Sequence, residues 1–296
     1  MRIRLDISGR VQGVGFRPFV YRLASEMGIR GWVRNTPTGV TVEAEAGETA
    51  LEEFENRLVS ELPPLAVVSS IRRTRVMESG CTSFSVLPSL SGEPDLTVMP
   101  DLAVCRNCLE DISEPSNRRY RYPFTNCTNC GPRYSIILGL PYDRHRTTMG
   151  RFRMCPECEA EYSDPSDRRF HAQPNACPAC GPALALLSPS GSVSAIRDEA
   201  MASAADALKS GRIVAVKGLG GFHLFADASS EDAVTRLRRA KRRPSRPFAI
   251  MVPSMESARD LCAVSDQEAA LMESSAAPIV LLERRGREGP CEAVAP

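Results

Sequence analysis

Four Cys-x-x-Cys pairs constrain this chain more than any other feature: Cys105/Cys108, Cys127/Cys130, Cys155/Cys158 and Cys177/Cys180. Eighteen residues separate the pairs within each half, and the second half repeats the first at a displacement of fifty positions. The copying extends beyond sulfur: Pro115-Ser116 returns as Pro165-Ser166, Arg118-Arg119-Tyr120 as Arg168-Arg169-Phe170, and Gly131-Pro132 as Gly181-Pro182. A repeat held in phase is one small unit used twice. A Cys-x-x-Cys knuckle sets two thiolates on one side of a tight turn, and two knuckles close a tetrahedral four-sulfur site for zinc. Each half is too short and too polar to fold on its own core, so metal binding supplies much of its folding free energy. Four protein ligands per ion leave no open position, so two structural zinc ions are expected. Pairing within each half is the simpler scheme, with interleaved pairing left open. Disulfides suit secreted chains, and a thioredoxin-type site needs one such pair, not four in register.

Length and charge bound the rest. A chain of 296 residues suggests two or three domains. A net charge of +1 exerts no global pull toward nucleic acid or membrane. The start, Met1-Arg2-Ile3-Arg4-Leu5-Asp6, lacks an apolar leader, and no run approaches the ~18 apolar residues of a membrane span, so a cytoplasmic location is expected. Cys81, Cys262 and Cys291 are scattered and read as buried or idle thiols.

At the N-terminus Ile3, Leu5 and Ile7 alternate as a half-buried strand. The run Gly9-Arg10-Val11-Gln12-Gly13-Val14-Gly15-Phe16-Arg17-Pro18 then leads into a helical pattern, with Pro18 in its first turn. A Gly-rich turn from strand to helix can aim successive backbone N–H groups at an anion, and Arg17 adds a guanidinium suited to phosphate. A hairpin about Pro37-Thr38-Gly39, a helix over 48–61 and strands near 66–77 and 82–87 complete a βαββαβ order, that of a ferredoxin-like sandwich. Residues 1–90 resemble acylphosphatase, through Gly-Arg-Val-Gln-Gly-Val-Gly-Phe-Arg at 9–17 and Trp-Val-Arg-Asn at 32–35. The resemblance implies that Gln12, Gly13, Val14, Gly15 and Phe16 form a phosphate-binding loop, that Arg17 binds the acyl phosphate, and that Asn35 positions the attacking water.

Pro, Gly and Ser are frequent over 88–98, and a linker is placed at 91–104. Fingers are expected at 105–132 and 155–182, an inter-finger segment at 133–154 and a second linker at 183–198. His145 and His171 are read as hydrogen-bonding side chains, since eight cysteines already satisfy two zinc ions. Arg118, Arg119, Arg121 and Arg133, with Tyr120, Tyr122 and Tyr134, fit RNA stacking, and solvated faces and interdomain salt bridges explain them as well, so the readings stay open.

Residues 199–296 open with an amphipathic helix, then a buried strand ending at Lys217 and a glycine turn. A helix over 231–240 follows, and Lys241-Arg242-Arg243 leads through Pro247 into a further expected strand. Seven of the eleven residues 236–246 are basic, which reads as a phosphate-binding rim. This segment resembles the first part of a YrdC-like nucleotide-binding domain. The family's Lys-x-Arg motif falls on Lys241-Arg242-Arg243, with Lys217 on the preceding strand, so Lys217, Lys241 and Arg243 are the implied nucleotide and carbamate ligands. Its later Ser-x-Asn element has no match, and Pro296 comes about halfway through such a domain.

The whole order is expected to be an α+β multidomain chain: a ferredoxin-like acylphosphatase domain, two small four-cysteine zinc fingers and a partial α/β YrdC-like domain. It resembles the HypF family of hydrogenase maturation carbamoyltransferases. That resemblance implies cleavage of carbamoyl phosphate at the first site and activation of the carbamate by ATP with Mg2+ to carbamoyl-adenylate. Transfer to a cysteine of HypE follows, toward a cyanide ligand of nickel–iron hydrogenase, through a transfer domain absent from this sequence. Other readings are an acylphosphatase with appended fingers, a zinc-containing double-stranded RNA-binding protein, and an inactive truncated copy.

Overall fold

Alternation at the N-terminus is realised as strand β1 (Arg2–Arg10), with Ile3, Leu5 and Ile7 buried on one face. Helix α1 (Phe16–Glu26), strands β2 (Arg30–Thr36) and β3 (Gly39–Glu45), helix α2 (Glu48–Ser60), and strands β4 (Val67–Val76) and β5 (Phe84–Val86) follow. The sheet order is β4-β1-β3-β2-β5, antiparallel throughout except that β5 runs parallel to β2. Phe16, Val20 and Leu23 of α1 and Leu51, Phe54 and Leu58 of α2 cover the inward face of this sheet, the layering of a ferredoxin-like sandwich. Edge strand β4 carries Arg72, Arg73 and Arg75 exposed, charges that discourage pairing with another chain.

The computed structural model describes residues 1–90, 99–286 and 289–296, which form two compact units, Met1–Pro182 and Ala183–Pro296. Residues 91–98 of the expected first linker lie outside the described residues. Its end is packed: Met99 is buried in the core of the N-terminal sandwich, and Leu102 exchanges backbone hydrogen bonds with Gly131. No helix among the described residues is long and apolar enough to cross a membrane.

Both fingers belong to the first unit. In each, a short helix springs from the first knuckle: α3 (Arg106–Ser113) after Cys105 and α4 (Pro156–Ser163) after Cys155. The two copies are tied crosswise. Arg118 and Arg119 of the first copy pair with Glu161 in α4, at 2.7 and 2.5 Å. Arg168 and Arg169 of the second pair with Asp111 in α3, the residue equivalent to Glu161. Arg119 Nε also donates to the Ala176 carbonyl (2.9 Å), and Arg169 Nε to that of Asn126 (3.1 Å). Burial alone would raise the Glu161 carboxyl, but Arg119 and Arg118 hold it at about 2. Of the readings of this basic cluster, ion pairing therefore accounts for Arg118 and Arg119, and Arg119 is only 2% exposed.

The second unit holds the strand pair β6 (Ala185–Leu187) and β7 (Val193–Ile196), helix α5 (Arg197–Lys209), and the hairpin β8 (Val214–Lys217) with β9 (Phe222–Phe225). Helices α6 (Glu231–Lys241) and α7 (Met255–Leu261), strand β10 (Cys262–Ala263), helix α8 (Asp266–Met272) and strand β11 (Glu283–Arg284) complete it. Two expectations are corrected here. Strand β8 is not buried: Val216 and its neighbours Ala215 and Lys217 are exposed. The run after Pro247 forms no strand, and Ile250 and Met251 are exposed. Among the described residues β8 and β9 pair only with each other, and an apolar run without a neighbouring ladder has nothing to hold it extended. One buried cluster of this unit gathers around Val234, Ala293 and Val294, where Arg238 donates to the carbonyls of Val294 (2.9 Å) and Arg243 (2.8 Å).

Removing one acid of the cross-ties strands two partly buried guanidinium groups. Asp111→Ala and Glu161→Ala are each expected to cost about 3 kcal/mol or more. Urea unfolding of the finger block, followed by zinc release to a chromophoric chelator, measures this.

Candidate functional site

Each set of four cysteines converges. Cys105, Cys108, Cys127 and Cys130 form one cluster and Cys155, Cys158, Cys177 and Cys180 the other, so pairing is within halves. A regular tetrahedron with zinc–sulfur bonds of about 2.3 Å has sulfur–sulfur edges of about 3.8 Å. The first cluster has Sγ separations of 3.7 Å (Cys105–Cys127), 3.8 Å (Cys127–Cys130) and 3.6 Å (Cys130–Cys108). The second has 3.7, 3.7 and 3.6 Å at the equivalent pairs. Both cages fit zinc, and neither contains a histidine. Guanidinium groups reach them from the opposite copy: Arg168 donates to Cys108 Sγ at 3.0 Å and Arg118 to Cys158 Sγ at 3.3 Å. Each finger thus offsets part of the other's thiolate charge.

The loop between β1 and α1 has the form of an anion cradle. Gly13 (φ 71°) and Gly15 (φ 75°) are left-handed, a conformation that turns successive N–H groups to one side. Among the described residues none of the backbone N–H groups of Gln12 through Arg17 donates to a protein acceptor. Val11, Val14 and Phe16 anchor the loop in the core, and Gln12 Nε2 ties it to the carbonyls of Thr36 and Gly39, both at 2.8 Å. Asn35, the sixth residue of β2, faces the same cavity. It is 1% exposed, and neither its Oδ1 nor its Nδ2 has a partner. A buried amide with both ends free is costly unless something binds there, such as a water or a ligand.

The remaining walls come from the finger block. Arg133 Nε donates to the Gly13 carbonyl (2.7 Å), while its other nitrogens hold the carbonyls of Cys130 (2.9 Å), Pro132 (2.8 Å) and Thr128 (2.8 Å). Arg17, 8% exposed, donates to Asp143 Oδ1 at 3.0 Å and to Ser89 Oγ at 3.4 Å. Burial would raise the Asp143 carboxyl, but the Arg17 charge and the Ser89 hydroxyl hold it below the usual range. His171, pushed down to about 4 by burial and by Arg17, is neutral near pH 7, its ring against Tyr162 and Phe170. Two cavities meet at Arg17 and His171: a narrow one (≈ 30 Å³) beside Asn35 and the loop, and a wider one (≈ 360 Å³) beside Ser89, Asp143 and Tyr162.

The structure thus brings together Gln12, Gly13, Gly15, Phe16, Arg17 and Asn35 around one cavity, with Val14 beneath it. In the second unit Lys217 ends β8 and Lys241 ends α6, both exposed. Arg243 spends its guanidinium on the carbonyls of Arg246 (3.3 Å) and Pro247 (2.9 Å). Asp143, Tyr142 and Gln173 escaped the sequence reading, because pairs such as Arg17–Asp143 are 126 positions apart. The available signal was the stretch Tyr142-Asp143-Arg144, a polar run between the repeats with no counterpart in either.

Family models match the same segments: "Acylphosphatase" over 3–86, "HypF finger" over 104–137 and 154–187, and a Sua5/YciO/YrdC model described as "Telomere recombination" over 206–296. The chain is 49% identical to "Carbamoyltransferase HypF" of Synechocystis over 294 residues, which is 99% of this chain and 38% of that protein. It is 49% identical over 85 residues to an acylphosphatase of Pseudothermotoga lettingae, 94% of which it covers. Crystal structures of full-length HypF in a phosphate- and nucleotide-bound form (TM-score 0.89, 42% identity) and of T. kodakarensis HypF (TM-score 0.90, 41%) superpose on 99% and 100% of this chain, and on 38% of each of theirs. The chain therefore spans a little over a third of the length of these HypF proteins, at 38%. An acylphosphatase-type sandwich, two interlocked four-cysteine fingers and a YrdC-type segment follow one another here as they do along those proteins, and the chain belongs to the HypF family.

Proposed function

We propose that the cavity between Arg17 and Asn35 hydrolyses carbamoyl phosphate, as the first step of a carbamoyltransferase that serves nickel–iron hydrogenase maturation. The observation that carries this reading is Asn35, a buried amide with no protein partner, beside a loop whose N–H groups are also unpaired. In this reading the free N–H groups of residues 12–17 and the Arg17 guanidinium hold the phosphoryl oxygens, and Asn35 holds a water in line. The narrow cavity has room for such a water. Water oxygen bonds to phosphorus as the bond from phosphorus to the acyl oxygen breaks. Carbamate leaves as a monoanion, and both water protons end on phosphate. An acyl phosphate is already activated, so fixed geometry and charge stabilisation suffice without a protein nucleophile.

The later steps are proposed for the family architecture as a whole. Carbamate would be adenylated by ATP with Mg2+, with Lys217, Lys241 and Arg243 at the nucleotide and carbamate site, and the carbamoyl group then passed to a cysteine of HypE. The basic run over 236–246 and the match to a YrdC-type model support that assignment. Carbamate is short-lived in water, so a walled site favours its onward use. A cytoplasmic setting suits thiolate zinc ligands. An RNA-binding reading loses support, because Arg118, Arg119 and Arg133 are engaged inside the first unit.

Arg17→Ala and Asn35→Ala are each expected to lower phosphate release from carbamoyl phosphate by at least about a hundredfold, as measured by a coupled phosphate assay. If either variant keeps wild-type turnover, the reading of this cavity is wrong. Zinc removal is expected to act on the same site from a distance, because Arg133 and Asp143 belong to the finger block. Chelation should raise KM for carbamoyl phosphate about tenfold or more, with recovery on adding zinc back.

A further inference from the structure

We propose that Asp143 selects carbamoyl phosphate over other acyl phosphates by accepting a hydrogen bond from the substrate NH2 group, an inference that rests on the reading of the Arg17–Asn35 cavity above. An acyl phosphate has two ends, and the site has two cavities that share Arg17 and His171 as a common wall. With the phosphoryl group on the loop, the acyl end extends past Arg17 toward the wider cavity. Among the described residues lining that cavity Asp143 is the one carboxylate, set among Arg17, Arg144, His145 and Arg146.

A carboxylate beside a phosphate site needs a reason. On its own it repels every acyl phosphate alike, and Arg17, bonded to it at 3.0 Å, offsets part of that repulsion. The remainder is regained only by a substrate that gives Asp143 a donor. Carbamoyl phosphate has one in its NH2 group, whereas acetyl phosphate presents a methyl group that would desolvate the carboxylate without a bond in return. A carboxylate has acceptor capacity for more than the Arg17 contact. Held in its ionised form, Asp143 accepts hydrogen bonds well and is a weak general base, so its role is recognition and not proton removal.

The size of the effect follows from what is left behind. A site that orphans a buried group on binding the wrong substrate discriminates by factors of about 10⁴–10⁵. Here Asp143 keeps Arg17 and Ser89 whichever substrate binds, so a preference of about tenfold to a hundredfold is expected.

The test compares kcat/KM for carbamoyl phosphate and acetyl phosphate in the zinc-loaded wild-type chain, Asp143→Ala, Asp143→Asn and Arg17→Ala. Zinc content and circular dichroism verify that each variant is folded. Wild type is expected to favour carbamoyl phosphate by about tenfold to a hundredfold. Asp143→Ala should bring the ratio near one, chiefly by losing carbamoyl phosphate turnover, while Asp143→Asn, which keeps an acceptor oxygen, should retain part of the preference. A parallel fall for both substrates with the ratio unchanged would show that Asp143 only holds Arg17 in place, and would overturn the proposal. Arg17→Ala separates the two levels of inference: it should abolish both activities whatever Asp143 does. A wild-type chain that releases phosphate from neither substrate overturns the phosphate site itself, and the proposal with it.

Discussion

The first unit depends on what Arg133 holds. Arg133, 2% exposed, gives its guanidinium to three carbonyls at the Cys127–Cys130 knuckle and to a fourth, that of Gly13, in the loop between β1 and α1. Asp101 fixes it from behind by accepting from its backbone N–H at 2.7 Å. One buried cation therefore couples the geometry of a metal cage to that of an anion cradle. A buried guanidinium is tolerable only when its donors are matched. Here three matches lie in the local turn 128–132 and the fourth lies 120 positions away at Gly13, so turn and loop cannot drift independently.

The same logic explains why a small sandwich carries such a closed site. Acyl phosphate chemistry asks for little from a protein beyond a cradle, a cation and a placed water. In the reading proposed above, the N-terminal sandwich supplies all three through the loop, Arg17 and Asn35. The finger block adds enclosure: Tyr142 and Gln173 wall the narrow cavity, and Asp143 and Tyr162 the wider one. Aromatic packing of Tyr21 in α1 against Phe170 in the second copy, with centroids 5.6 Å apart, keeps that cover seated.

Much of this was legible in the sequence, and the failures have a common cause. Period-two alternation at Ile3, Leu5 and Ile7 specified a strand because one face is buried by local helices. The cages were legible because Cys-x-x-Cys geometry is set within four residues. Arg17 and Asn35, which line one cavity, stand in local motifs, whereas the place of Asp143 beside Arg17 depends on a contact across 126 positions and leaves only a polar run between the repeats as its local signal. In the second unit the run Phe248-Ala249-Ile250-Met251 has strand composition, yet Phe248 bonds through its N–H to the Val294 carbonyl and no ladder forms. Composition reports what a segment would do beside a partner strand. It does not report whether the partner is there.

The crosswise ties of the fingers also fix how many fingers there can be. In an open repeat array each unit offers its neighbour a fresh surface, and units can be added or lost. Here the two copies face each other about a pseudo-twofold arrangement, each giving an arginine pair and taking one, as in an isologous dimer joined into one chain. Such a contact is self-complementary and closed. A third copy would find no acid unclaimed, and a single copy would leave an arginine pair and an acid without counterparts. A change at Asp111 or Glu161 therefore reaches first the arginines of the opposite copy, and through Arg168 and Arg118 the sulfur cages that those arginines touch.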